Sequence, residues 1–456
     1  MISGITRSFG ALPRLPDSGA LNFKPAAGSR HVLPNGLVIY LLKDATLPVV
    51  HLNALVKAGK SYDPPDKAGV GELTAALLKD GGTRKYKSDE IDSALEFLGA
   101  EIESSMGLEE ARVEMFSLKK DLDRVLDMYA SVLMEPAFED EKTAVKKAEA
   151  IEVIRRRNDD PARAAQREAL RAFYGAGHPY GRRSEIAGIE SLGKADLIAC
   201  HDDFYRPNNI IITAAGDFGS EGEMLARLEA KFGGWKRRET AFPAIPRVEP
   251  VRGRRAYLIR KDIPQAFLAV LQPGIKHLDP AEFPLAAANE VLGGNTFTSR
   301  MTSEIRSRKG LAYSVYSYFS KRREYGHLNA SCGTKPETYS LALSEMLRQF
   351  AIMKNEPVPA AELDDSKNSI INSFVFRFAT PFALLNERAL YEHYGYPPDY
   401  LDKYVDNLSR VDAEAVLEVS KQLFKPEDAL IFVIGDPDKF DKPLSDFGPV
   451  TELKED

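Results

Sequence analysis

One half of this 456-residue chain repeats the other, and that repeat decides what the chain can fold into. Pro161, Ala169-Leu170 and Tyr174-Gly175 recur as Pro381, Ala389-Leu390 and Tyr394-Gly395, each displaced by 220 residues. Further on, FYRPNNIIITAAGD (Phe204 to Asp217) recurs as LFKPEDALIFVIGD (Leu423 to Asp436), so Pro207 maps to Pro426 and Gly216-Asp217 to Gly435-Asp436. The front of each half agrees as well. VVHLNALV (Val49 to Val56) and QAFLAVLQ (Gln265 to Gln272) alternate with period two and read as strands. Each leads through an Asp-Pro turn, Asp63-Pro64 or Asp279-Pro280, into an Ala/Leu-rich helix, GVGELTAALL or FPLAAANEVL. Asp can hydrogen-bond its own backbone and Pro presets φ, so both residues favour the turn.

A repeat of this length is not a solenoid. It predicts an α+β fold of two homologous α/β halves. Each should be a mostly antiparallel sheet with helices packed on one face and the other face free to line a chamber, as in a clamshell. The expected boundaries are a flexible N-terminal arm over 1–29, a first half over 30–235, a linker over 236–255, a second half over 256–440 and a tail over 441–456. Pro243, Pro246 and Pro250 keep the linker extended.

Charge and apolar content exclude several function classes. A net charge of −6, with Lys and Arg scattered, leaves no basic stripe for nucleic acid. No apolar run approaches the roughly 20 residues of a membrane span. The first 28 residues lack the apolar stretch of a signal peptide. Both a cytosolic protein with a loose arm and an exported one whose signal is gone fit that start. Cys200 and Cys332 are far apart and in no C-x-x-C context, so they read as two buried thiols.

The helix GVGELTAALL carries the negative signal. AGVGELTAALLKDGGT (Ala68 to Thr83) resembles the G-x-x-H-F-L-E-H-M-L-x-x-G-T segment of the pitrilysin/insulinase family of zinc peptidases, the inverted zincins. In that motif two His and a Glu at i, i+3 and i+4 share one helical face. The His hold zinc, and the Glu is general base to the bound water. Here the two His positions are Glu72 and Ala76, and the Glu position is Ala75. No histidine lies between His51 and His178, so no shift of alignment restores the motif. The resemblance puts the third ligand, a Glu of a later helix, at Val153 or Glu152 in KKAEAIEVIRRRNDDP (Lys146 to Pro161). Two carboxylates without an imidazole make a poor zinc site. The expectation is no zinc in this chain and no peptidase activity by it alone. Each of the seven histidines is isolated from a second ligand, which predicts structural or surface roles for them.

The second half carries the positive signal. In SRMTSEIRSRKGLAYSVYSYF (Ser299 to Phe319), Met301 to Lys309 reads as helix, Gly310 as its stop and Leu311 onward as strand. This segment resembles the family's S-R-L-x-x-x-L-R-x-x-x-G-L-x-Y-x-V block. There an Arg and a Tyr seven residues apart bind the substrate carbonyl and stabilise the oxyanion from across the chamber. Arg306 and Tyr313 have that spacing, with Arg308 as the weaker alternative to Arg306.

The resemblance covers nearly all of residues 30–440 and fails only at the metal site. It implies the non-zinc subunit of a bacterial two-subunit peptidase, paired with a homologue that bears H-x-x-E-H and the zinc and acting on a peptide or unfolded polypeptide. Relatives of that organisation include the mitochondrial processing peptidases and the core proteins of the cytochrome bc1 complex. The alternative is a scaffold subunit without catalytic part. The periplasm is the expected compartment, with the cytoplasm as alternative.

Overall fold

The computed structural model describes residues 26, 28–249 and 252–454, so most of the arm expected over 1–29 lies outside the described residues. Twelve strands form two six-stranded sheets among the described residues. The first sheet holds β1 (Ser29–Val32), β2 (Val38–Lys43), β3 (Val49–Val56), β4 (Glu101–Met106), β5 (Ala111–Leu118) and β6 (Ile210–Gly216), in the order β1-β2-β6-β3-β5-β4. In the second are β7 (Arg255–Arg260), β8 (Ala266–Pro273), β9 (Ala312–Ser320), β10 (His327–Thr334), β11 (Leu430–Gly435) and β12 (Val450–Leu453), in the order β12-β7-β11-β8-β10-β9. Five strands correspond one to one. β2–β6 and β7–β11 pair in parallel, and the remaining pairs among the five are antiparallel.

The sixth strand differs between the halves. β1 reaches its edge by a hairpin into β2, whereas β12 comes from the C-terminal segment and runs parallel to β7. Residues 441–456, expected as a tail, thus contribute a strand, and Leu444 and Phe447 bury against the second core. Covering an otherwise open edge and burying two apolar side chains is the physical reason to order this segment.

Each half packs its own helices on one sheet face. The central strands IIITAAG (β6) and LIFVIG (β11) are buried along their whole length, so their second face is not left to line a chamber. A helix of the opposite half covers it instead. Pro161–Tyr174 lies across β8 and β11 of the second sheet, and Pro381–Tyr394 lies across β6, β2 and β3 of the first. Both begin with a cap and Pro at the first helical position: Asp160 accepts from Ala162 N (3.0 Å), and Thr380 Oγ1 from Ala383 N (3.1 Å). The contact faces are small. Ala164, Ala165 and Ala169 sit against Ala269, Leu271, Phe432 and Ile434, and Ala389 against Leu55 and Ile211. Polar pins fix the second helix: Asn386 Oδ1 accepts from Thr213 Oγ1 (2.6 Å) and Asn53 Nδ2 (3.1 Å), and Arg30 grips Glu392 with two bonds of 2.7 and 2.9 Å. The halves are therefore interlocked by exchanged helices.

Candidate functional site

In the first half, helix Val70–Asp80 starts after Gly69, whose φ of +101° only glycine adopts without strain. Asp63 holds that start, accepting from Gly69 N (2.8 Å) and Gly71 N (3.1 Å). Burial pushes its carboxyl up to about 7 in spite of those two donors. The sequence marked Asp63 only as a turn residue. Glu72 points outward and accepts from Lys60 Nζ at 2.8 Å. Ala75 is buried, and its carbonyl accepts from Ser104 Oγ on β4. Ala76 is half-buried. On helix Asp140–Arg155, Glu152 is exposed and accepts from Arg156 Nε at 2.6 Å, while Val153 is 70% exposed. Glu72 and Val153 look into one cleft of about 450 Å³, which Ala75 and Ala76 do not line. Glu152 does not line it, and two methyl groups and an isopropyl group offer no lone pair. These positions do not fit zinc. Among the described residues, no group of three or more His, Cys, Asp or Glu side chains is placed to hold a metal ion.

In the second half, Arg306 and Tyr313 lie side by side. The guanidinium carbon of Arg306 is 5.8 Å from the centroid of the Tyr313 ring, and Tyr313 is 85% exposed. Arg306 is exposed and forms no ion pair among the described residues, whereas Arg308 pairs with Glu304 at 3.1 Å. Two backbone irregularities produce this placement. The predicted helix is wound as a π-helix over Thr302–Arg308, with Lys309 N bonding Glu304 O at 3.1 Å, and it ends at Gly310 with φ +61°. Beyond it, Ser314 pairs with Gly333 but Ala312 with Thr334, so Tyr313 is the extra residue of a β-bulge. A regular strand would put Tyr313 and Tyr316 on opposite faces. The bulge leaves both exposed. The odd spacing of these two tyrosines is the one sequence sign of the bulge, and neither irregularity is predicted from local pattern.

The histidines serve as fasteners. His178 Nε2 donates to Pro246 O (2.9 Å) and so ties the linker down, and His201 Nε2 donates to Leu133 O (3.0 Å). His277 stacks on Tyr394 at 3.6 Å. Burial holds His201 down to about 4 and His277, His327 and His393 down to about 3. Both cysteines are buried and free, their thiols pushed up to about 12 by burial.

Comparison with known proteins gives a consistent result. Residues 38–183 match the sequence profile of Insulinase (Peptidase family M16), and residues 191–370 that of the Peptidase M16 inactive domain. The uncharacterized zinc protease YmxG of Bacillus subtilis is 24% identical over 413 residues, covering 89% of this chain and 97% of YmxG. A peptidase M16 inactive domain from Pseudomonas fluorescens superposes with a TM-score of 0.80 at 24% identity, covering 90% of this chain and 98% of that one. The periplasmic protease PqqL from Escherichia coli superposes with a TM-score of 0.74 at 15% identity. The match covers 94% of this chain but 48% of PqqL.

Proposed function

Because this chain belongs to the insulinase family of peptidases, M16, yet carries Glu72, Ala75 and Ala76 at the metal-motif positions, we propose that it is the non-zinc subunit of a two-chain metallopeptidase. The observation that carries this reading is the Arg306–Tyr313 pair, exposed, adjacent and without an ion-pair partner among the described residues. The partner is an M16 homologue with H-x-x-E-H, and its zinc would supply the activated water. Tyr313 donates its O–H to the carbonyl oxygen of a bound peptide, and Arg306 donates N–H beside it. Both donors sit where negative charge develops as that carbon becomes tetrahedral. Contact with the tyrosine ring orients the guanidinium before substrate arrives. The PqqL match supports a second subunit: a chain of which this one covers 48% has room for two such units. PqqL's periplasmic location favours the same compartment here, which fractionation of cells making the tagged chain would decide.

The test is to co-purify this chain with an H-x-x-E-H homologue and measure peptide turnover by the wild type, Tyr313→Phe and Arg306→Ala. Turnover in each variant should collapse while association is unchanged. Full activity in both would leave a scaffold role as the reading.

A further inference from the structure

The cleft shared by Glu72 and Val153 is built by both halves, with Arg322 and His327 entering from the second. Its volume of about 450 Å³ suits a small ligand or a short peptide segment. Seven cationic side chains border it against two carboxylates, Asp63 and Glu72, so its field is positive on a chain whose net charge is −6. Carboxylates behind the wall do not cancel that excess. Glu168 is shared by Arg183 (2.6 Å), Arg167 (2.9 Å) and Arg171 (3.7 Å), and Glu185 by Arg183 (2.7 Å) and Arg157 (3.1 Å).

Two cations form no ion pair among the described residues, although the Asp63 carboxylate is near enough to Arg182 for the two charges to interact. Arg182 donates only to the carbonyls of Asp63 (2.5 Å) and Gly177 (3.4 Å) and forms no ion pair among the described residues. Arg322 forms none either, and its Nε is buried without a hydrogen-bond partner. His327 binds Tyr174 Oη through Nδ1 at 2.9 Å, and its Nε2 is likewise buried and unmet. Unmet buried groups carry a cost that an incoming hydrogen-bond partner removes. Between the cations the walls are apolar, with Leu108, Ile154 and Leu170, which favours a peptide over a bare inorganic anion.

We propose that this cleft binds the carboxylate side chains of an acidic peptide segment, anchored by Arg322 and Arg182. A guanidinium fork matches a carboxylate with two parallel bonds. Lys60 is held by Glu72 at the rim, and that pair sets how much positive charge the entrance shows. The site acts in this chain alone. It does not depend on the partner or on Arg306 and Tyr313, so its failure would leave the proposed subunit role untouched.

Fluorescence anisotropy of the full chain with a labelled peptide of four Glu flanked by Leu, against its Gln counterpart, tests the assignment. The Glu peptide should bind about tenfold tighter or more at low salt, and Arg322→Gln should remove about that factor. Lys60→Gln should weaken binding and Glu72→Gln strengthen it, each by about two- to fivefold, since both side chains are solvent-exposed. Lys120→Gln, at a remote exposed lysine, should change nothing. Equal binding of the two peptides would overturn the proposal. So would wild-type affinity in an Arg322→Gln variant that melts like the wild type. Should Arg322→Gln not fold, the rim pair decides, and shifts that are absent or in the same direction overturn it. Displacement by inorganic phosphate as effectively as by unlabelled peptide, at equal ionic strength, would overturn the peptide assignment.

Discussion

The edge of the first sheet and the edge of the second are copies of one design with opposite local character. In the first half, α-helix Val70–Asp80 is regular and faces β4, which pairs with β5 without a break from Glu101↔Phe116 to Met106↔Ala111. In the second half, the corresponding helix gives way to π-helix at Glu290–Gly294, a second π stretch follows at Thr302–Arg308, and β9 is bulged. The motif positions of the regular edge hold a buried alanine, a half-buried alanine and a neutralised glutamate. On the irregular edge stand an exposed arginine that forms no ion pair among the described residues and an 85% exposed tyrosine. Irregular backbone is costlier than helix or strand and persists where the surroundings over-determine it. Here it aims two donors at solvent, and where the metal motif is lost the backbone is plain.

Perturbing the exchanged helices breaks this comparison most severely, because each edge rests on a sheet that the other half covers. Phe173 is 5% exposed at the end of the first exchanged helix. Phe173→Ala should cost about 3–5 kcal/mol, read as a lower urea midpoint. An unchanged midpoint would mean that the halves do not depend on the exchange.

Next in size is the catalytic asymmetry. In the proposed two-chain complex, Tyr313→Phe would remove the proposed oxyanion donor and should slow turnover about 100- to 1000-fold. Glu72→Ala at the equivalent edge should leave turnover within about fivefold, the range of an exposed ion pair. Comparable losses from both would erase the distinction between the edges.

An effect of similar size separates the exchanged helices by pH. Position 393 corresponds to Phe173, and burial together with Arg323, Lys57 and His277 holds the His393 imidazole down to about 3. Below about 6.5 the unfolded chain takes up the proton and the folded chain does not, so stability falls as pH drops towards 3, by about 1.4 kcal/mol per unit for this group. His393→Phe should therefore flatten the pH dependence of the urea midpoint between pH 6.5 and 4. An unaltered slope would assign that dependence to other groups. Smallest is Gly310→Ala. A Cβ there meets nothing within 4 Å, so only the φ of +61° resists it, at about 1–2 kcal/mol. A larger loss would show that the π segment depends on its stop.

Much of this was legible in residue order because it is local or repeats at fixed distance. Alternation in VVHLNALV and QAFLAVLQ marks strands, the recurrence of Pro161 as Pro381 marks the two exchanged segments as equivalent, and a motif helix without histidine declares its missing ligands wherever it packs. Resemblance to the family's block, not spacing by itself, singled out Arg306 and Tyr313, and it did not foretell the bulge that turns Tyr313 outward. Which sheet a helix covers was not legible, since the alanine face of Pro161–Tyr174 would suit either sheet, and only the path of the chain between halves selects one. The edge strand β12 and the cleft are of the same kind. Arg182 and Arg322 are 140 positions apart in the sequence and meet only because the halves interlock. Local pattern sets each element and its chemistry. Burial decides which elements face each other, because it is non-directional and needs the whole fold to be satisfied.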